Sequence, residues 1–172
     1  MTDRRILIVD DELSVRGSLE EWFKEDGFLV ETAEDGQAAL RAMDRGPYDI
    51  VLLDLKMPGM DGISVQKRIR VIDPEATIII LTAYASVQTA VEALKLGAFD
   101  YVTKPVDPDD LSNLIRNALR TRALAEENVR LKEKVSELTE VTPILSVSPA
   151  MEHVLEMVRT VAETDSSVVI RG

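Results

Sequence analysis

From residue 5 to about residue 106 the chain alternates short apolar runs with amphipathic stretches. The apolar runs are Ile6–Val9, Phe28–Val30, Ile50–Leu53, Thr77–Leu81 and Tyr101–Val102. Runs this short and this rich in Ile, Leu and Val predict strands of a parallel sheet buried on both faces. The stretches between them carry helical spacing: Val15, Leu19, Trp22 and Phe23, then Ala38, Ala39, Ala42 and Met43. Ile63, Ile69 and Ile72 mark the third helix, and Val87, Val91, Leu94 and Ala98 the fourth. Glycines or prolines punctuate the joins at Gly27, Gly46-Pro47, Pro58-Gly59, Pro74 and Gly97. Five strands, each followed by a helix, imply right-handed crossovers and an α/β fold with a doubly wound, five-stranded parallel sheet. Trp22, Phe23 and Met43 are assigned to its core.

From Pro108 to about Glu140 the pattern changes, and neither Gly nor Pro interrupts it after its start. Asp109 and Asp110 fall in the first turn, where carboxylates suit the helix dipole. A heptad runs through the stretch, with Thr121, Asn128 and Val135 at a and Leu124, Leu131 and Leu138 at d. Glu127 at g would face Lys132 at e of a parallel partner, and Asn128 at a would fix register and favour a dimer. The alternative is one long surface helix laying its leucines on its own domain. After Thr142-Pro143, residues Met151, Val154, Leu155, Val158 and Val161-Ala162 predict an amphipathic helix, and Val168–Ile170 a strand. One helix and one strand bury no core alone, so this stretch is expected to open a further domain. His153, the one histidine, is assigned to the surface.

Composition narrows the function. Hydrophobic residues make up 45% and charged residues 30%, an ordinary globular balance that can bury a core. There are no cysteines, which removes disulfides and thiolate metal sites. No apolar run approaches the roughly 20 residues needed to span a bilayer. Met1-Thr2-Asp3-Arg4-Arg5 leads into the first apolar run without a signal-peptide pattern, so a cytoplasmic location and no membrane partner are expected. The net charge of −11 repels nucleic-acid phosphates and suits carboxylates gathered around a divalent cation.

In a doubly wound sheet the ligand site lies beyond the carboxyl ends of the strands. The first strand delivers Asp10, Asp11 and Glu12 there, the third Asp54, the fourth Thr82, and the fifth Lys104 followed by Pro105. Clustered carboxylates repel one another, and a hard cation such as Mg2+ relieves that repulsion. A carboxylate beside the metal can then act as a nucleophile and form an acyl phosphate. Lys104 and Thr82 would supply an ammonium and a hydroxyl to the phosphoryl oxygens.

The segments Ile6–Asp11 (ILIVDD), Leu52–Gly62 (LLDLKMPGMDG), Leu81–Tyr84 (LTAY) and Tyr101–Pro105 (YVTKP) resemble the receiver domain of two-component response regulators. The resemblance covers residues 4 to about 120, with every motif in order. It implies a flavodoxin-like sheet of order 2-1-3-4-5 and Asp54 as the phosphoacceptor. The metal ligands would be Asp11 directly, Asp10 directly or through water, Asp54, and the backbone carbonyl of Lys56. Thr82 and Lys104 would bind the phosphoryl oxygens, and Lys104-Pro105 would be cis. The implied switch turns Thr82 towards the phosphoryl group and lets Tyr101 change rotamer, which rearranges the face formed by the fourth helix, fifth strand and fifth helix.

Ser146–Gly172 resembles the start of the AAA+ domain in NtrC-type activators of sigma-54 RNA polymerase, where such a strand leads into the P-loop. The expected organisation is a receiver at 1–120, a fifth helix and coiled-coil dimerisation linker at 108–140, and the opening of an AAA+ domain at 143–172. The resemblance implies phosphoryl donation by a sensor histidine kinase or a small acyl phosphate. It also implies homodimerisation through Leu124, Asn128, Leu131, Val135 and Leu138, together with the face of helix 4, strand 5 and helix 5. Sigma-54 RNA polymerase, ATP and DNA are implied as partners of a longer parent, and turnover of a substrate by this stretch itself is not. Two rivals are weighed against this. A haloacid dehalogenase-type phosphatase carries a D-x-D motif after its first strand, where this chain has adjacent Asp10-Asp11. A phosphorylation-independent dimerisation scaffold usually lacks one of the acidic, Thr or Lys positions, and this chain has them all.

Overall fold

The computed structural model describes residues 4–83, 87–138, 148–162 and 169. Five strands alternate with helices: β1 (Arg5–Val9), α1 (Leu13–Glu25), β2 (Leu29–Ala33), α2 (Gly36–Met43), β3 (Ile50–Asp54), α3 (Gly62–Ile72), β4 (Thr77–Thr82), α4 (Val87–Lys95), β5 (Asp100–Thr103) and α5 (Pro108–Leu138). A further helix, α6, spans Pro149–Ala162. The strands form one parallel sheet of order β2-β1-β3-β4-β5. Residues 1–126 and 127–172 make up two compact units, and α5 begins in the first and ends in the second.

Alternation along the central strands divides the core between the two faces of the sheet. Leu7, Val9, Val51, Leu53, Ile78 and Ile80 point to one face, where α2, α3 and α4 cover them. Ile6, Ile8, Ile50, Leu52, Ile79 and Leu81 point to the other, under α1 and α5. Full burial of each such side chain is worth about 1.5–3 kcal/mol, which explains why the central strands are continuous apolar runs. The edges are less apolar. β2 lies at one edge and exposes Leu29, so the strand is Leu29–Ala33 rather than the apolar stretch Phe28–Val30. β3 and β4 each run one residue further than their apolar runs, so Asp54 and Thr82 are the last residues of their strands.

Two helices pack differently from their apolar spacing. In α3 the buried residues are Gly62, Val65, Gln66 and Ile69, with Ile63 partly buried, and Ile72 is exposed. In α4 the inward positions are Ala90 and Ala93, whereas Val91 and Leu94 are exposed. Small side chains let that helix lie close to the sheet, so the larger residues face out. Gln66 Nε2 donates to the Ala93 carbonyl at 2.9 Å, and Arg70 donates to the Gly97 carbonyl, so α3 grips the carboxyl end of α4. Of the residues assigned to the core, Phe23 and Met43 are buried and Trp22 is half-buried.

α5 packs through Leu111, Ile115 and Ala118, and its first turns are tied to α1. Ser112 Oγ accepts from Trp22 Nε1 at 3.3 Å and donates to Asp26 Oδ2 at 3.1 Å. Beyond these contacts the described part of the helix is largely exposed, Leu124, Val129, Leu131 and Val135 included. In α6, Met151, Val154 and Val158 are exposed, as is His153, while Leu155 and Val161 are half-buried. Of the strand expected at Val168–Ile170 only Val169 is described, exposed and in no regular element, and the break at Thr142-Pro143 lies outside the described residues.

The β3–α3 connection is tightly packed. Asp61 caps α3 by accepting the Ser64 N–H at 2.8 Å, and Gly62 donates to the Leu55 carbonyl at 3.0 Å. A Cβ on Gly62 would clash with the Asp54 carbonyl oxygen and lie 2.7 Å from Leu55 Cα, both backbone atoms. Gly62→Ala is therefore expected to cost about 1–3 kcal/mol in denaturant unfolding. Gly17→Ala is the control: nothing lies within 4 Å of its Cβ, so helix propensity should leave it neutral or stabilising by up to about 1 kcal/mol.

Candidate functional site

The carboxyl ends of β1, β3, β4 and β5 converge because these strands are neighbours in the sheet. Asp10 follows β1, Asp54 ends β3, Thr82 ends β4 and Lys104 follows β5. Lys104 starts beside Thr82, its backbone N–H donating to the Thr82 carbonyl at 2.8 Å, and the Lys104-Pro105 peptide is cis. From there its ammonium reaches back across the sheet. Nζ lies 2.7 Å from Asp54 Oδ2, 2.6 Å from Asp10 Oδ2 and 3.6 Å from Glu12 Oε1. The other oxygen of each aspartate is held by backbone: Asp10 Oδ1 accepts the Glu12 N–H at 2.9 Å, and Asp54 Oδ1 the Lys56 N–H at 3.1 Å.

Asp10, Asp54 and Thr82 are buried, and Lys104 nearly so. Burial pushes the Asp10 carboxyl above its ordinary range, more strongly than its Lys104 and Glu12 contacts lower it. Burial also works against the charged form of Lys104, but bonding and charge from Asp10 and Asp54 outweigh it and raise the ammonium. The pair is thus favourable seen from Lys104 and costly seen from Asp10. The cost governs Asp10, because its carboxylate has no exposure and shares the ammonium with Asp54 and Glu12.

Asp10, Glu12 and Asp54 each offer a carboxylate oxygen, and the three oxygens lie within 4.8 Å of one another. Asp10 Oδ2 is buried, and among the described residues its one polar partner is the Lys104 ammonium at 2.6 Å. A small hard cation with oxygen ligands fits this donor set, which combines surplus negative charge with an unsaturated buried oxygen. The grouping differs from the ligand set expected from the sequence. Glu12 is in it, half exposed, whereas Asp11 is exposed and outside it. The next residue of the β1–α1 turn thus faces the site where its neighbour faces solvent.

The remaining expected residues divide. Register pairs Ile80 with Tyr101 and Thr82 with Thr103, so Thr82 and Tyr101 share the α4 face of the sheet. Thr82 is buried and Tyr101 39% exposed, which leaves the ring at the surface. Leu124, Asn128, Leu131 and Val135 are exposed along α5, and the side chain of Leu138 lies outside the described residues. Arg16 was missed. It is buried on α1 and donates from Nη1 to the Asp10 carbonyl at 2.5 Å. The signal was a charged residue on the stripe Arg16, Leu19, Phe23, at i, i+3 and i+7.

Comparison with known proteins agrees with this geometry. Residues 6–116 match the response regulator receiver domain family. The regulatory protein AtoC of Escherichia coli is 41% identical over 168 residues, which is 98% of this chain and 36% of AtoC. The chain thus spans little over a third of the length of such curated relatives. The crystal structure of NtrX from Brucella abortus in complex with ADP superposes with a TM-score of 0.71 at 28% identity, over 94% of this chain and 36% of that one. The response regulator TrrA from Thermotoga maritima, solved in complex with Mg(2+)-BeF, gives 0.61 at 38% identity, over 67% of this chain and 98% of its own.

The electrostatics generate a prediction. An acid whose carboxyl is raised in the fold weakens the fold when ionised, and the penalty fades as pH falls through the raised value towards the ordinary 3.8. Asp10→Asn keeps an acceptor for the Glu12 N–H and removes the charge. In EDTA at pH 7 it is expected to raise the thermal unfolding midpoint by a few degrees. Lowering the pH should shrink that advantage.

Proposed function

The chain belongs to the response regulator receiver domain family, and on that footing we propose that Asp54 accepts a phosphoryl group in a Mg2+-dependent reaction that controls transcription through the linker helix. The observation that carries the reading is the Lys104 ammonium set 2.7 Å from Asp54 and 2.6 Å from Asp10 inside a ring of carboxylates. An ammonium so placed stands ready for the oxygens of a phosphoryl group on Asp54.

In this reading a sensor histidine kinase, or a small acyl phosphate, donates the group. An Asp54 carboxylate oxygen forms the new bond to phosphorus as the phosphorus–nitrogen bond to the kinase histidine breaks, or the phosphorus–oxygen bond to the acyl group. Lys104 neutralises charge on the equatorial oxygens, and Thr82 provides a hydroxyl from the adjacent strand end. Asp10, Glu12 and Asp54 would hold Mg2+, joined by the Lys56 carbonyl and by Asp11 once its exposed carboxylate turns inward. Bound there, Mg2+ would supply positive charge to both the carboxylates and the incoming phosphoryl group. Water attack on the acyl phosphate returns the carboxylate.

The output follows from the shared face of Thr82 and Tyr101. Drawing Thr82 towards a phosphoryl oxygen opens space on the α4 side, where Tyr101, Val91, Leu94 and Phe99 already present exposed apolar surface. The heptad of α5, with Leu124, Leu131 and Val135 half or more exposed, supports a coiled coil with a second copy of the chain. The relatives are sigma-54-dependent activators of the NtrC type, so we assign residues 1–120 to the receiver, 108–140 to the helix and linker, and 143–172 to the opening of an AAA+ domain. Phosphorylation would act on a receiver-linker dimer that governs ATP-driven work on sigma-54 RNA polymerase at DNA by the longer protein, in the cytoplasm. Among the described residues no helix is long and apolar enough to cross a membrane.

Incubation with acetyl phosphate and Mg2+ should add one phosphoryl group, read as intact mass. The adduct should be absent in EDTA and in Asp54→Ala; an adduct that persists in the variant would place the acceptor elsewhere. If the linker pairs two chains, Leu124→Lys with Leu131→Lys should convert a dimer to a monomer in sedimentation equilibrium. Lys104 and Asp54 lie outside that stretch, so the adduct should form at its normal yield.

A further inference from the structure

Asp10 is held at every polar atom. Its backbone N–H donates to the Ala33 carbonyl at 3.1 Å, which ties it to β2. Its Oδ1 accepts the Glu12 N–H at 2.9 Å, and its backbone carbonyl accepts Arg16 Nη1 at 2.5 Å. Its Oδ2 is buried in the carboxylate cluster, 2.6 Å from the Lys104 ammonium.

The cost of Arg16 shows that this arrangement is specific. The residue is buried, at 9% exposure, on the stripe that packs Leu19 and Phe23 into the core. Among the described residues no carboxylate pairs with it, so a guanidinium is desolvated for a hydrogen bond to backbone. Helical side chains lean towards the amino end, and from the start of α1 this one leans back onto the turn carrying Asp10, Asp11 and Glu12. Glu12 occupies the N-cap of α1 and makes no side-chain cap bond, so its carboxylate stays available to the cluster. Three adjacent acids would tend to spread this turn apart; a rigid donor beneath it opposes that.

We propose that Arg16 is a positioning residue for the divalent cation. By fixing the Asp10 carbonyl it holds the β1–α1 turn in the conformation that keeps Asp10 Oδ2 and the Glu12 carboxylate within ligand reach of Asp54. The inference rests on the Mg2+-dependent reading of the site, and it makes a claim opposite to the one charge alone would make. A cation near the cluster repels Mg2+, so deleting it should tighten binding if electrostatics were its whole effect. Loss of positioning weakens binding.

The test is a titration of the 15N-labelled chain with Mg2+, following the backbone amides of the β1–α1 turn and of Lys56. Arg16→Met is expected to raise the Mg2+ dissociation constant by about 10-fold or more, the usual scale for loss of a group that orients a metal ligand. Arg16→Lys, which keeps a charged donor, should recover part of it. In phosphorylation by acetyl phosphate, the half-saturating Mg2+ concentration should rise more than the saturated rate falls. Mg2+ binding at or below the native dissociation constant in both variants would overturn the proposal. If Arg16→Met fails to fold, Arg16→Lys decides alone by the same criterion. A native chain whose amides ignore Mg2+ would remove the metal reading itself, whereas a native response with unchanged variants removes this inference alone.

Discussion

Carboxylates that would repel one another share the ammonium of Lys104 at the carboxyl edge of the sheet, and much else in the molecule serves to keep them there. Asp10 and Asp54 are buried with that cation between them, and Glu12 stands at its side. Charges this close and this dry interact far more strongly than at the surface, so small displacements change their energy steeply. The backbone answers by fixing them. The Glu12 and Lys56 N–H groups each donate to one carboxylate oxygen, and Arg16 donates to the Asp10 carbonyl.

This constraint links the site to the rest of the fold. The sheet order β2-β1-β3-β4-β5 makes β1 and β3 neighbours, although α1, β2 and α2 lie between them in sequence. Asp10 and Asp54 can meet for that reason. β4 and β5 follow in register, and Lys104 enters the site from the side where Thr82 ends. The face of the sheet that Thr82 shares with Tyr101 lies under α4, whose carboxyl end is gripped by Gln66 and Arg70 of α3. In the proposed reading, a change at Asp54 reaches a helix whose carboxyl end is held and which turns Val91 and Leu94 outward.

Much of the fold was legible in the sequence because the central strands are buried on both faces. Ile6–Val9, Ile50–Leu53 and Thr77–Leu81 read as apolar runs, and burial made them strands at those positions. The edge strand β2 was harder: Leu29–Ala33 is half polar, and an exposed edge tolerates that mixture. Ile72, Val91 and Leu94 show the same limit in helices. Their spacing suited burial, yet Val65, Ala90 and Ala93 fit closer to the sheet and took the inward positions. Periodicity identifies a helix, but the shape of the surface it meets selects the face.

The sequence by itself determined the alternation of strands and helices, the edge of the sheet to which Asp10, Asp54, Thr82 and Lys104 would come, and the family they resemble. These follow from local rules: burial writes the apolar runs, and a parallel strand delivers its next residue to a known edge. Tertiary structure decided which oxygens lie together. It placed Glu12 beside Asp10 and Asp54, left Asp11 in solvent, and brought Arg16 beneath the turn. Those choices depend on side-chain directions and on charges separated by up to 94 residues of chain, from Asp10 to Lys104, and no local pattern encodes them.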